Sequence, residues 1–342
     1  MMKNVDYIIV GGGYAALFFA HQLVMNGNSF LLFSDGCKGA SRVSAGIVNP
    51  LVLKKFTTFW LAQEQIEFFR KTLTEIQTYT GNDYLIDEQI HRLFHDKSER
   101  NLWLSKSETE ELGNFLDPEI KFLETIKNPF GTGRVNLSAR LNVEAFFTDF
   151  FDYFKKNDSL SEEKFEYERI SGSSYGDINF RHIVFCEGMG VRQNPFFSHI
   201  PVIPNKGHHL KVKLSVKLNH KLTLKKKHFL FPLDDELYYY GGTYDPNERP
   251  DAIDDFAEVQ LRNGLSEFYP HEFEVAEVKY GFRPTVKDRR PILGNHPGHE
   301  NFYVFNGLGA RGVLSGCYFS KELFDHIENG KPLMPEVDVK RF

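Results

Sequence analysis

Two apolar runs that flank three consecutive glycines constrain this chain more than any other feature of its sequence. Residues 7–10 form a short run rich in β-branched side chains, which is typical of a strand buried on both faces. The glycines occupy positions 11–13, and the apolar segment 15–25 behind them predicts a helix that ends at the pair 26–27, Asn-Gly. Residues 30–33 then predict a second buried strand.

This order of strand, glycine turn, helix and strand is that of a dinucleotide-binding unit in a parallel sheet. Gly11 permits the tight turn, Gly13 lets the backbone approach a pyrophosphate, and Ala16 lets the helix pack close to the strand. The free N–H groups and the positive partial charge at the helix N-terminus favour phosphates. The acid that follows the second strand, Asp35, is placed to accept a hydrogen bond from a ribose hydroxyl.

Composition narrows the class of protein. The 342 residues are enough for two domains, and their net charge of −5 excludes a wholly basic nucleic-acid binder but leaves room for a local basic patch. Cys37, Cys186 and Cys317 lie far apart without metal-ligand spacing, so we expect free thiols in a reducing cytoplasm and no metal site. No apolar run reaches transmembrane length, so we expect no membrane span.

The next part of the chain predicts a loop and two helices. Small side chains dominate residues 39–50, so this backbone could lie against a flat ligand. An apolar stripe between Phe59 and Ile76, at steps of three and four, predicts a core-facing helix that ends at Gly81. A further helix is predicted after Asn142, with its phenylalanines on one face.

The middle of the chain predicts a second kind of sheet. Residues 182–186 form a third buried-strand candidate, and the glycine that follows, Gly188, suggests the carboxyl edge of a parallel sheet, where ligands bind. The composition changes near Pro201. Alternation of apolar and polar residues over 210–218 predicts a half-buried strand, and residues 229–243 predict a hairpin. We therefore expect a second domain built on an antiparallel sheet.

Eight lysines and no acid lie between Asn205 and His228. Such a run is usually the solvated face of a sheet, and the alternative is a surface that binds an anion or nucleic acid. In the hairpin that follows, alternation puts Tyr238 and Tyr240 on one face and Tyr239 on the other, but the sequence leaves open which face meets a ligand. The lysines are at positions 206, 211, 213, 217, 221, 225, 226 and 227.

A second glycine turn, at residues 307–312, follows the apolar run 302–305 and opens a helix that stops at residues 329–330. The N-terminus of this helix supplies a second positive partial charge, which a nicotinamide-dependent dehydrogenase does not need. A flavin needs such a charge, because negative charge builds at its N1–C2=O edge on reduction. The two turns together predict FAD as the cofactor.

Taken in order, these motifs resemble the D-amino-acid oxidase family of FAD-dependent oxidoreductases over nearly the whole chain. The second turn is most similar to that in the FAD domain of the bifunctional tRNA methylaminomethyl-thiouridine modification enzymes, which removes a carboxymethyl group from a wobble-uridine amine. The segments that carry the resemblance are 11–16, 39–41, 45–46, 184–188, 206–208, 231–232, 241–243, 282–284 and 307–312.

The resemblance implies an α/β fold with a Rossmann-type FAD-binding domain and a second, α+β substrate domain built on an antiparallel sheet. The implied FAD domain comprises residues 1–50, 135–200 and 275–342, and the implied substrate domain comprises 51–134 and 201–274.

The resemblance also implies site residues. Arg283 would clamp a substrate carboxylate, the alternative being a structural ion pair, and Arg311 would bind substrate or position the flavin. The family's ribose acid falls at Ser34, so either Ser34 or Asp35 takes that role, and Cys317 matches no flavin-linking cysteine. The implied cofactor-binding residues are Gly11, Gly12, Gly13, Tyr14, Ala15, Ser34, Asp35, Ala40, Ser41, Ala45, Gly46, Ile47, Gly188, Gly307, Gly309, Ala310, Arg311, Gly312 and Val313.

The implied reaction is oxidation of the C–N bond of a small amino acid or secondary amine, by hydride transfer to flavin N5. One alternative keeps this chemistry on tRNA, as a stand-alone wobble-uridine modification oxidase whose lysines hold phosphates. A second alternative is a flavin-binding redox module without turnover. We expect a small-molecule substrate, with tRNA the less favoured partner.

Overall fold

The computed structural model describes residues 3–36, 39–218, 222–247 and 249–342. Cys37 and Lys221, which the sequence singled out, lie outside the described residues. The described part of the chain forms six α-helices, which are α1 (Tyr14–Met25), α2 (Ala62–Thr80), α3 (Lys97–Ser107), α4 (Val143–Lys156), α5 (Asp255–Ser266) and α6 (Gly312–Asn329).

The strands of the described residues fall into two large sheets and two small ones. In chain order they are β1 (Lys3–Val10), β2 (Phe30–Phe33), β3 (Ile47–Val48), β4 (Leu51–Val52), β5 (Thr57–Thr58), β6 (Leu85–Ile86), β7 (Ile90–Leu93), β8 (Leu116–Lys121), β9 (Thr132–Val135), β10 (Ala139–Leu141), β11 (Leu160–Ser161), β12 (Ile170–Ser171), β13 (Ser174–Tyr175), β14 (Ile178–Phe185), β15 (Ile203–Leu214), β16 (Thr223–Lys225), β17 (Phe229–Pro232), β18 (Leu237–Gly241), β19 (Phe273–Thr285), β20 (Ile292–His296) and β21 (His299–Asn306).

The first large sheet is parallel in its centre, where β11, β2, β1, β14 and β21 lie side by side. Its central strands are buried on both faces, which is why they are near-continuous apolar runs. Helices α1, α4 and α6 pack on one face, and a separate apolar cluster that includes Ile8, Phe185 and Phe302 covers the other. Because parallel strands share one carboxyl edge, the segments that follow β1, β14 and β21 meet there.

The second large sheet has the order β19-β15-β18-β17-β16-β7-β9-β8, and every pair in it is antiparallel except β16 with β7. Helix α5 covers one face, where Leu210, Tyr238 and Tyr240 are buried against Leu261 and Leu265. Tyr239 therefore points to the opposite face. Strand β15 begins at Ile203 and ends at Leu214, earlier than the predicted 210–218, because residues 203–209 pair with β19 while Val216 is exposed.

The predicted fold class is confirmed, since a Rossmann-type parallel sheet is combined with an antiparallel one. The strands predicted at 7–10, 30–33, 182–186 and 302–305 and the predicted helices are all present, with shifts of a few residues at their ends. One such shift is in α2, which begins at Ala62 although its predicted apolar stripe starts at Phe59. The division of the chain into the two domains stays a prediction.

Candidate active site

The first glycine turn closes against the neighbouring strand. Gly11 has a φ of 120°, and a Cβ at this position would lie 2.4 Å from the Cys186 carbonyl oxygen, so only glycine fits. A Cβ at Gly12 would lie 2.3 Å from Ser34 Oγ. Gly13, the N-cap residue of α1, makes no side-chain hydrogen bond to the helix, and the Tyr14 N–H donates to Ser41 Oγ, so the N–H groups of Ala15 and Ala16 are the ones available to a ligand. This geometry is compatible with the phosphate cradle that the sequence predicts.

The second glycine turn lies beside the first. A Cβ at Gly312, the first residue of α6, would lie 2.9 Å from Tyr14 Cδ2, at the first residue of α1, so the two helices begin next to each other. Asn306 fixes the approach to the second turn, because its amide donates to the Gly188 carbonyl at 2.9 Å. Two helix N-termini thus point to one region at the carboxyl edge of the parallel sheet. Ala15, Gly307, Gly309, Ala310 and Val313 lie within these two turns and the first residues of the helices.

The loop of small residues bridges the first turn to the second sheet. Ser41 Oγ accepts a hydrogen bond from the Tyr14 N–H at 3.2 Å. On the other side of the loop, a Cβ at Gly281 of β19 would lie 3.2 Å from Ala40 Cα. Gly46 has a φ of 63° and closes on Leu141, and Ile47 begins strand β3. Ala45 lies between these contacts, and Asp35 is exposed at the other end of the loop.

Arg283 lies near the end of β19, on the face of the second sheet opposite α5. Its Nη1 donates to Asn205 Oδ1 and to the Thr243 carbonyl, each at 3.1 Å. A Cβ at Gly207, which lies diagonally across from Arg283 on β15, would lie 2.3 Å from Arg283 Nη2, so glycine makes the space for the guanidinium. Burial lowers the pKa of Arg283, and no carboxylate of the described residues pairs with it. The structural ion pair considered as the alternative is not present in the described part of the chain.

The end of β19 also brings Arg283 close to the glycine turns. A Cβ at Gly188 would lie 3.9 Å from Pro284, and one at Gly309 would lie 3.9 Å from Thr285 Oγ1. The residues that immediately follow Arg283 therefore contact both segments at the carboxyl edge of the parallel sheet. This places an unpaired cation of the second sheet beside the predicted flavin site.

Tyr239 stands next to Arg283. Its ring is stacked between His209, at a centroid distance of 4.4 Å, and Phe231, at 4.7 Å. A Cβ at Gly242 would lie 3.4 Å from the Tyr239 hydroxyl and 3.0 Å from Arg283 Nη2, so both groups border one small space that glycine leaves open. Burial raises the pKa of Tyr239 to about 12, which keeps the hydroxyl protonated as a donor at neutral pH.

The sequence did not single out Asn205, and it gave Gly207 and Gly242 only as members of segments that carry the resemblance, without a role at the site. It also left the face of Tyr239 open. Asn205 is buried, and its Nδ2 has no hydrogen-bond partner among the described residues. The antiparallel register of β15 with β19 puts Asn205 directly opposite Arg283. No local sequence pattern encodes this register, and it is the register that brings Asn205 and Arg283 together.

Arg311 is the second cation at the site. It is the N-cap residue of α6, and its guanidinium lies over the Phe59 ring at 4.0 Å. Burial, with a smaller contribution from the positive charge of Arg289, lowers the pKa of Arg311 to about 10, so the side chain stays charged at neutral pH. None of the described acids pairs with it.

The lysine run does not form a single cationic surface. Lys206 is buried, and its Nζ donates to the carbonyls of Pro250 and Ala252 and lies 4.7 Å from the centre of the Tyr280 ring. Lys211 pairs with Glu277 at 3.1 Å. The part of the run that the structure describes is therefore divided between a buried contact, ion pairs and exposed side chains.

Two further expectations concern cysteines and membranes. Cys186 and Cys317 are buried free thiols. Within the ranges that the structure describes, no cluster of histidine, cysteine and acidic side chains could hold a metal ion. None of the described helices combines the length and apolarity needed to cross a membrane.

Residues 6–326 match the sequence model of the FAD dependent oxidoreductase family, DAO. The chain belongs to this family. Membership confirms the predictions of FAD as cofactor and of an oxidoreductase. The match covers both glycine turns, the small-residue loop and Arg283.

Individual relatives are distant. The chain is 21% identical over 307 residues to the tRNA 5-methylaminomethyl-2-thiouridine biosynthesis bifunctional protein MnmC of Campylobacter jejuni subsp. jejuni, covering 86% of this chain and 46% of that protein. It is 27% identical over 182 residues to the bifunctional protein ThiO/ThiG of Trichormus variabilis, covering 49% of this chain and 26% of that protein. The chain thus spans about half the length, or less, of these relatives.

The fold is similar to that of solved amine and amino-acid oxidases. Glycine oxidase from Geobacillus kaustophilus superposes with a TM-score of 0.79 at 17% identity, covering 96% of each chain. Iminodiacetate oxidase from Chelativorans sp. BNC1 superposes with a TM-score of 0.77 at 17% identity, covering 98% of each chain. At this identity the likeness shows the fold alone.

The residues at the carboxyl edge fit FAD. Gly11 permits the tight turn against Cys186, a Cβ at Gly13 would narrow the space beside Ser41, and the N–H groups of Ala15 and Ala16 at the start of α1 remain available, which suits a pyrophosphate. The N-terminus of α6 with Arg311 supplies positive charge, which suits the N1–C2=O edge of a flavin. The assignment of each residue to a part of the cofactor stays a prediction.

Proposed function

We propose that this chain oxidises the C–N bond of a small amino acid or secondary amine that carries a carboxylate. The observation that carries the proposal is Arg283, a buried arginine without an acid partner among the described residues, which lies beside both glycine turns. A buried cation of this kind is stabilised when an anionic ligand binds it. A guanidinium binds a carboxylate bidentately and so fixes the neighbouring carbon.

The chain's own groups define the binding mode. Arg283 holds one end of the substrate carboxylate, the Tyr239 hydroxyl donates to the same group across the space above Gly242, and the Asn205 amide supports the guanidinium. The Tyr239 hydroxyl stays protonated at neutral pH because its pKa is raised to about 12, and arginine side chains stay charged in proteins, so the carboxylate is held over the whole physiological range.

FAD, held by the glycine turns at the starts of α1 and α6, would supply a hydride acceptor for the substrate carbon next to nitrogen. If the amine arrives neutral, its lone pair assists this step and no side chain has to remove a proton. The resulting imine is hydrolysed by water after release. The protein's task is therefore to orient the carboxylate and to shield the reacting carbon from water.

Similarity to the tRNA biosynthesis proteins over 86% of the chain favours a second candidate, in which the amine belongs to a wobble uridine. In this candidate Arg283 and the flavin have the same roles, and the amine is part of a tRNA nucleoside instead of a small molecule. The lysine run gives it little support, because Lys206 is buried and Lys211 is ion-paired.

Anaerobic bleaching of the flavin tests both candidates. The holoenzyme is mixed with matched pairs of amines that differ only in a carboxylate, such as sarcosine and dimethylamine, and with carboxymethylaminomethyl-uridine, free and in tRNA. Rapid bleaching only by carboxylate-bearing small amines supports the main proposal, and bleaching only by tRNA supports the second. Equal bleaching by both members of each pair contradicts a carboxylate site.

Replacing Tyr239 by phenylalanine tests the second donor. A hydrogen bond to a charged group contributes about 1.5–3 kcal/mol, so kcat/KM for a carboxylate-bearing amine should fall roughly 10- to 100-fold. Because the ring stack with His209 and Phe231 is kept, FAD content and thermal stability should match the wild type. An unchanged kcat/KM would remove Tyr239 from the site.

A further inference from the structure

Arg42 is a cation at the predicted cofactor site that neither the sequence motifs nor the family resemblance singled out. It follows Ser41 in the small-residue loop, and its guanidinium lies over two rings of α4, 4.5 Å from the centre of Phe151 and 5.4 Å from that of Phe147. Its side chain has neither an ion pair nor a hydrogen bond with any described residue. Arg42 is exposed over part of its surface, and the partial burial of its guanidinium lowers its pKa.

The two phenylalanines place Arg42 at the first glycine turn. Phe151 Cζ lies 3.2 Å from the position of a Cβ on Gly12, and the Phe147 ring lies 5.2 Å from the ring of Tyr14, the first residue of α1. Ser41, the residue before Arg42, accepts a hydrogen bond from the Tyr14 N–H. The guanidinium thus rests on side chains that border the phosphate cradle itself.

The charge at the first turn favours an additional cation. Directly after the second strand, where such units hold the ribose-binding acid, the chain has Ser34, whose hydroxyl lies against Gly12, and then the acid Asp35. A pyrophosphate carries two negative charges, whereas a helix N-terminus supplies only about half a positive charge.

We propose that Arg42 binds the pyrophosphate of FAD, and that its charge adds to the partial charge of the α1 N-terminus. The inference rests on the proposed placement of FAD at the first turn. Because the Arg42 guanidinium packs on α4 while its backbone belongs to the loop, a bidentate bond to phosphate would also fasten the loop over the cofactor.

The test measures FAD binding rather than turnover. Apoprotein is titrated with FAD while flavin fluorescence is followed, for the wild type, Arg42→Gln and Arg42→Lys, and adenosine diphosphate is used as a competitor that carries the pyrophosphate without the flavin. Loss of a charge-assisted contact should raise the Kd for FAD roughly 10- to 100-fold in Arg42→Gln, with a similar loss of competition by adenosine diphosphate. Arg42→Lys should recover part of the affinity because it keeps the charge.

The matched control is Arg169→Gln. The Arg169 guanidinium also lies over an aromatic ring, that of Tyr175 at 4.7 Å, but it is outside the predicted cofactor site. Its removal should leave the Kd unchanged. In addition, the Kd of the wild type should rise more steeply with salt than that of Arg42→Gln.

Three results would overturn the inference. The first is an Arg42→Gln protein with wild-type affinity for FAD. The second is a loss of FAD affinity without any loss of competition by adenosine diphosphate, and the third is an equal loss in Arg169→Gln. A wild-type protein that binds no FAD would instead contradict the proposed function. If Arg42→Gln does not fold, Arg42→Lys with its salt dependence decides the question.

Discussion

Replacing Arg283 by alanine tests the proposed carboxylate site most directly. In the structure, Nη1 is engaged by two neutral oxygens at 3.1 Å, whereas Nη2 faces Gly207 and Gly242 and meets no acid of the described residues. A bound carboxylate would therefore be the ion partner of a largely desolvated cation. Removing one member of such a pair typically costs about 2–5 kcal/mol, which corresponds to a fall in kcat/KM of roughly 30- to 5,000-fold.

Two controls separate the clamp from a general defect. Arg283→Lys should recover only part of the loss, because lysine keeps the charge but lacks the planar fork. For an amine without a carboxylate, Arg283→Ala and wild type should reduce the flavin at similar rates. FAD content should be equal in all variants, since Arg283 is not placed as a cofactor ligand. The assay is anaerobic stopped-flow reduction of the flavin at a series of substrate concentrations.

If a carboxylate-bearing substrate reduces the flavin of Arg283→Ala at the wild-type rate, this reasoning is refuted and Arg311 becomes the candidate clamp. Loss of FAD or of folding in both Arg283 variants would show a structural role instead.

Three further changes have defined outcomes. Gly207→Ala should raise KM for the carboxylate-bearing substrate at least tenfold with FAD content unchanged, because the new Cβ would lie 2.3 Å from the Arg283 guanidinium; an unchanged KM would contradict this. Glu88→Gln breaks the ion pair with Arg140, whose N···O distance is 2.6 Å, and should lower the free energy of unfolding by about 3–5 kcal/mol, measured by urea denaturation. A loss of less than about 1 kcal/mol would contradict this prediction. Burial lowers the pKa of His209 from 6.5 to about 3, so the unfolded chain binds a proton that the folded protein refuses, and the free energy of unfolding should fall as the pH drops from 6.5 towards 3. His209→Phe keeps the ring stack and should weaken that pH dependence; an identical pH profile would assign it to other groups.

Local patterns were sufficient to predict the parallel part of the fold. Strand β2 has the predicted bounds, and the glycine turn at residues 11–13 has the conformation its sequence implies, because φ at Gly11 and the space at Gly13 are set by short-range geometry. The second turn was found for the same reason. Its position beside the first was predictable only from the rule that ligands bind at the carboxyl edge of such a sheet.

The groups around Arg283 could not be predicted from the sequence, because they are brought together by register. Gly207 is required by a guanidinium that is distant in sequence, and the face of Tyr239 depends on which side of the sheet α5 covers. Lys206 shows the same limit, since a run of lysines gives no sign that one member is buried against backbone carbonyls. Arg42 was missed because a loop arginine carries no motif.

The contact between the starts of α1 and α6 has a consequence for biosynthesis. The two helix N-termini proposed to hold FAD come from residues 14 and 312, and β21, which leads into the second, pairs with β14 in the middle of the sheet. A growing chain therefore lacks half of the cofactor site until α6 has left the ribosome. Stabilisation by ligand binding applies only to a chain that can bind, so FAD stabilises chains that already contain α6 and not the shorter intermediates that precede them. Flavin supply in the cell would then determine how many of the chains that contain α6 persist, rather than how many begin to fold.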